Sequence, residues 1–201
     1  MAHEVTTARE HSVSPINAEK GTTRSSWYSA GATEEGYTEK MKKNILSVEQ
    51  ADRMRSAEMI RVFSKDGRLL HSERGGEDWA HVDDDKVPKD AIITHNHPSS
   101  LGAEGIMSIG QSFSGDDIIE ALKLNLKELR AVTPRYTFSL KRPKGGWGVS
   151  KDDFVKAYSK ASSDYWKDAG SSIERVYATR SHVLTRQMAQ RFGWNYTKKK
   201  G

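Results

Sequence analysis

The chain of 201 residues contains no cysteine. That absence excludes thiol nucleophiles, cysteine-ligated metal and disulfides, and it leaves histidine and carboxylate as the strong ligand types. It also fits a reducing compartment. Long hydrophobic runs are missing as well. No apolar stretch approaches the ~20 residues that a membrane-spanning helix requires. The polar opening Met1-Ala2-His3-Glu4-Val5-Thr6-Thr7 lacks the apolar core of a signal peptide. The expectation is a cytoplasmic protein without membrane association. Apolar residues are scarce, 35% against 29% charged, so the flanks bury little surface and the core must come from the middle. No internal repeat is visible, and the length suits one domain with extensions.

Charge is present but unevenly placed. Residues 1–100 hold 14 Lys and Arg against 17 Asp and Glu, and residues 101–201 hold 18 against 10, so the net +5 divides into −3 and +8. Such a surplus is ordinarily solvated surface, and nucleic acid is not the expected partner.

Residues 1–43 are dominated by Thr, Ser, Glu, Gly and Lys without a sustained period and read as a flexible arm, with Trp27-Tyr28 available for docking. A short helix follows, with apolar Ile45, Leu46, Val48, Ala51 and Met54 and a capping-box pattern at Ser47-Val48-Glu49-Gln50, ending near Arg55. Glu58 precedes a strand, Met59 to Phe63, and the turn Ser64-Lys65-Asp66-Gly67 returns it as a hairpin through Arg68 to His71. Glu73, Glu77 and Asp83-Asp84-Asp85 read as a solvated acidic loop and stand in reserve as acid groups. The spacing of Ile118, Ile119, Leu122, Leu126 and Leu129 predicts a helix over 116–129, followed by strands over 131–133 and 136–140 broken at Pro134. Gly145-Gly146-Trp147-Gly148 reads as a turn packing its aromatic over the sheet edge. A second capping box at Ser150 opens two helices separated at Gly170, with a frayed basic tail at Lys198-Lys199-Lys200. The organisation expected is a 1–43 arm, a 44–149 domain and a 150–201 helical extension.

The chemistry concentrates at Thr94-His95-Asn96-His97-Pro98 and Ser114-Gly115-Asp116-Asp117. Ala91-Ile92-Ile93-Thr94 reads as a buried strand, so His95 and His97 fall at its end, two apart and on the same side, able to converge on one ion. Asp117 falls in the first turn of the following helix. Two histidines and one carboxylate make an open zinc site, with the fourth position left for water. The parts also have plainer readings. Ser114 and Asp117 form a capping box that needs no function. His-Asn-His also occurs in nucleases, but those spread the residues over a longer unit.

The order Glu58, then His95-Asn96-His97-Pro98 after an apolar strand, then Ser114 and Asp117 opening a helix, resembles the JAMM (MPN-plus, JAB) zinc metalloprotease family. His95-Asn96-His97-Pro98-Ser99 resembles its RadC-like bacterial branch, and the likeness spans residues 55–147. The resemblance implies a three-layer α-β-α domain similar to the cytidine deaminase fold, with a central mixed sheet and the metal near a helix N-terminus. It implies Zn2+ held by His95, His97 and Asp117, with Glu58 as general base and then acid, and Ser114 as oxyanion donor. The reaction implied is hydrolysis of a peptide or isopeptide bond. The substrate would be a protein or peptide, such as a ubiquitin-like conjugate or a phage structural protein. The pattern Ile93-Thr94-His95-Asn96-His97-Pro98 with Phe113-Ser114 and Asp117-Ile118 is most similar to domains attached to phage head-assembly proteins, which implies a phage or prophage version in the host cytoplasm or virion. One departure stands out: residues 99–113 make a longer connection than is usual in the family, either a lid over the site or a plain surface connection. Two other classes remain open, a catalytically silent scaffold of the same fold and a nucleic-acid-associated protein using the basic second half.

Overall fold

Five consecutive buried residues, Ile92–Asn96, form the strand on which the fold is assembled, β3. In the computed structural model, which describes residues 38–76, 80–98, 111–168 and 173–201, β3 lies between β1 (Met59–Phe63), antiparallel, and β4 (Glu128–Val132), parallel. With β2 (Leu69–Arg74), β5 (Tyr136–Lys141) and β6 (Asn195–Lys200) they make one mixed sheet in the order β2-β1-β3-β4-β5-β6. Residues 1–37 of the expected arm, Glu77 and the 99–110 part of the long connection lie outside the described residues.

Strand alternation sorts the side chains onto two helical layers. On one side, Ile92 packs with Phe63 against Met41 and Ile45 of α1 (Glu39–Asp52), and Thr94 donates to Glu49 of the same helix. On the other, Ile93 joins the main core with Ile118 of α2 (Gly115–Lys123), Phe154 of α3 (Lys151–Asp168) and Met188 of α4 (Ile173–Phe192). The protein is therefore mixed α/β, with helices on both faces of a six-stranded sheet.

α1 starts earlier than its sequence suggests. Its N-cap is Thr38, whose side chain accepts from the Met41 amide, and Ser47 falls inside the helix rather than capping it. Residues 39–43 had looked like arm because Met41 is the one apolar residue in that turn, yet it is fully buried. The lower half of the helix buries Glu49 and Asp52 instead, against Arg130 and Arg61 of the sheet. Gly67, at the hairpin turn, has φ +76, and a Cβ there would sit 2.2 Å from Met41 Cγ, so both backbone and space require glycine.

α2 is shorter than expected, and the difference has a local cause. Leu122, Leu126 and Leu129 keep a helical spacing, but Asn125 takes φ +50 and ends the helix. The amides of Asn125 and Leu126 turn back to the carbonyls of Leu122 and Ala121, a Schellman closure. Leu129 then belongs to β4. The C-terminal tail is also corrected: it forms β6, antiparallel to β5, with Trp194 and Tyr196 buried in the main core. Trp147 packs edge-on against Trp194 at 5.1 Å, and Trp194 Nε1 donates to the Trp147 carbonyl at 2.7 Å. The lysines of β6 sit on the sheet's outer edge, where their charge discourages further strand pairing.

Candidate metal centre

His95 lies in the last turn of pleat of β3, paired with Ile60 on one side and Ala131 on the other, and is 5% exposed. His97 follows just past the strand, its amide bonded to the Val132 carbonyl. The alternation brings both rings to the face covered by α2. His95 Nε2 and His97 Nε2 are 2.8 Å apart, and Asp117 Oδ1 lies 3.9 Å from His95 Nε2. The three ligand atoms lie within 4.8 Å of one another. Tetrahedral ligands at ~2.0–2.1 Å from zinc are roughly 3.4 Å apart, so small side-chain adjustments suffice to enclose an ion.

Protonation favours ligation. Burial, and next the neighbouring His95, lower the His97 pKa to about 4, so its ring is neutral at neutral pH. A hydrogen bond to the backbone of Gln111 also orients the His97 ring. Burial raises the pKa of Asp117, but the two imidazoles and the Ser114 hydrogen bonds outweigh it and hold the group ionised. A metal centre needs this combination of neutral imidazole and charged carboxylate.

Ser114 is the N-cap of α2. Its hydroxyl accepts from the Asp117 amide at 3.0 Å and donates to Asp117 Oδ2 at 2.8 Å, and its amide donates to the same oxygen at 2.7 Å. The capping box and the third ligand are thus one arrangement: Oδ2 is fixed by the cap while Oδ1 faces His95. Glu58 sits one residue before β1, its backbone paired with Gly75 and Gly76 at 2.8 and 2.7 Å. It lines a cavity of about 240 Å³ together with His95 and Asp117. Asn96, between the two histidines, points to the opposite face. It accepts from the Met59 amide at 2.7 Å and donates to the carbonyls of Arg55 and Ala57, so it pins the segment that carries Glu58.

Among the described residues, the reserve acids Glu73, Asp83, Asp84 and Asp85 do not line this cavity. Glu73 pairs with His71 at 3.0 Å, Asp83 with Lys86 at 2.8 Å and Asp84 with Lys123 at 2.9 Å. Residues that sequence reasoning passed over do line it: His81, Asp116 and Glu120. Asp116 and Glu120 are four apart on α2 and so share a helical face with each other, a signal that was available. His81 gave none.

A further set was read as tail and helix. Residues 111–114 carry both the Gln111 carbonyl and the Ser114 cap, and the C-terminal elements hold them. Ser112 donates its amide to Ser181 at 2.8 Å, and its hydroxyl meets Tyr196 Oη at 2.7 Å. Tyr196 Oη meets His182 Nδ1 at 2.8 Å. Phe113 stands edge-on to His95, 6.3 Å between ring centres. Burial first, and then Lys198 and Arg186, keep His182 neutral with a pKa near about 4, and burial pushes the Tyr196 phenol well above its usual value. The alternation of buried Trp194 and Tyr196 was the sequence signal for a strand at this place. Comparison with protein-family models, curated proteins and solved structures finds no match for this chain.

Proposed function

We propose that the protein is a zinc-dependent metallohydrolase of the JAMM type, cleaving a peptide or isopeptide bond. The observation that carries the reading is the convergence of His95, His97 and Asp117 beside a cavity that also contains Glu58. These three residues would hold the ion. A bound zinc supplies Lewis acidity, polarising a carbonyl and acidifying water at neutral pH. Glu58 takes the proton of the attacking water and passes it to the leaving amine, acting as base and then acid. Ser114 has two roles in this reading. It fixes Asp117 through the cap, and by rotating its hydroxyl from Oδ2 it donates to the developing oxyanion, an interaction worth ~3 kcal/mol where it has been measured.

The first test is metal content. About one zinc per chain is expected, falling sharply in folded His95→Ala and Asp117→Ala variants; retention of the parent's zinc in both would overturn the ligand set. A zinc-free parent protein would favour the silent scaffold. The second test is Glu58→Gln, which leaves the ligands intact but cannot accept a proton. Chelator-sensitive peptide cleavage should disappear with zinc occupancy unchanged, whereas Glu73→Gln remains active.

A further inference from the structure

A second cavity, of about 420 Å³, opens beside the metal centre between α2 and the α3–α4 pair. Asp116 stands in the walls of both cavities, so the two adjoin at this residue. The lining of the second combines apolar Ile119, Phe154 and Val155 with polar groups, of which Tyr158 and Arg180 are the largest. Tyr158 packs tightly on the first turn of α2: a Cβ on Gly115 would lie 3.0 Å from its ring. Burial raises the Tyr158 pKa, so its hydroxyl stays protonated and able to donate.

Arg180 is incompletely matched. One Nη2 hydrogen goes to Ser162 Oγ at 2.7 Å and the guanidinium lies over the Trp166 ring at 5.5 Å, which fixes its plane. Its Nε is buried with no hydrogen-bond partner, and among the described residues no carboxylate stands within ion-pair distance of it. The side chain is half-buried, and its planar fork is shaped for a carboxylate.

We propose that Arg180 and Tyr158 form a substrate subsite that takes a carboxylate, so the peptide cleaved at the metal centre carries an acidic group adjacent to the scissile bond. The name substrate rests on the hydrolase reading above; the carboxylate site itself does not.

The experiment uses the full chain, with and without zinc, and amidated alanine pentapeptides carrying one glutamate, scanned through the positions, or glutamine in its place. A third set has glutamine and a free C-terminal carboxylate. Binding is followed by calorimetry and cleavage by mass spectrometry. The glutamate peptide at one position should bind at least ten times more tightly than its glutamine counterpart, in the zinc-free protein as well, so that direct ligation of zinc by the peptide is not the cause. Arg180→Gln should abolish the difference. Arg180→Lys, which keeps the charge, should retain part of it and serves if the first variant fails to fold. Preference for the third set over the first would assign the site to a chain terminus instead of a side chain. Equal binding of glutamate, glutamine and free-carboxylate peptides by the parent, or a preference that survives in Arg180→Gln, overturns the subsite. Discrimination in binding without any cleavage keeps the subsite and removes the hydrolase.

Discussion

Replacing Tyr196 with phenylalanine should weaken metal binding at a centre that Tyr196 does not touch. The hydroxyl is the shared partner of Ser112 Oγ at 2.7 Å and His182 Nδ1 at 2.8 Å, in a buried environment. Its removal leaves a buried hydroxyl and a half-buried imidazole unmatched, at ~1–3 kcal/mol each, so a stability loss of about 2–6 kcal/mol is expected against a typical total of ~5–15. Ser112 lies between Gln111, whose carbonyl orients the His97 ring, and Ser114, whose cap fixes Asp117. Loosening this segment acts on two of the three ligands at once. Groups that orient metal ligands from behind commonly contribute ~10–100-fold in affinity, and about 10-fold is expected here because the ligands themselves remain. Zinc affinity is measured by chelator competition under conditions where the variant is fully folded, and stability by urea denaturation. Met41→Ala is the control: it should lose a similar ~2–5 kcal/mol from the opposite face of the sheet and leave zinc affinity unchanged. Equal zinc affinity in Tyr196→Phe and the parent would show that the C-terminal elements support the fold and not the centre.

Arg130 bonds both oxygens of buried Glu49 and one of buried Glu128, so Arg130→Met should cost about 3–5 kcal/mol in urea denaturation by stranding two carboxylates; a loss below ~1 kcal/mol would mean that water or other groups already satisfy them. His182 has its pKa depressed from 6.5 to about 4, so its contribution is complete above pH 6.5 and is lost as pH falls towards 4. For this half-buried group that amounts to about 1–2 kcal/mol at pH 5. His182→Gln should therefore flatten the stability profile between pH 7 and 5, and an unchanged slope would contradict the assignment. Asn96→Ala should lower turnover well below the parent at normal zinc occupancy, because the Met59 amide and the Arg55 and Ala57 carbonyls lose the side chain that pins the Glu58 segment. Normal turnover would mean that the β1–β2 pairing alone holds Glu58.

The strands were legible where a local pattern sufficed. Ala91 to Thr94 is apolar and β-branched, Gly67 marks the hairpin, and the capping box at Ser114 starts α2 where expected. The errors came from contacts distant in sequence. Glu39 to Lys43 carries little apolar surface, and only Phe63 and Ile92 of the sheet make Met41 a core residue and the segment a helix. Leu126 and Leu129 continue a helical spacing, but the left-handed turn at Asn125 places Leu129 on a strand beside Ile93. Lys198 to Lys200 looked like a frayed end because charge there is visible, whereas pairing with β5 is not.

The candidate centre divides along the same line. A strand period of two and a first-turn carboxylate already bring His95, His97 and Asp117 towards one point, since each placement depends on a few neighbouring residues. What holds the centre in one geometry is non-local. The same alternation that presents the two histidines to α2 must turn Asn96 to the other face, where its amide reaches Arg55, Ala57 and Met59, some forty residues earlier in the chain. The three residues of His-Asn-His thus do different work on the two sides of one sheet: the outer two converge as ligands, and the middle one ties that strand to the segment bearing Glu58. Residues 111–114 repeat the division, with Ser114 fixing Asp117 locally and Ser112 anchored to Tyr196, which is 84 residues away. Ligand identity is therefore a short-range property of this chain, and ligand orientation is a property of the completed sheet.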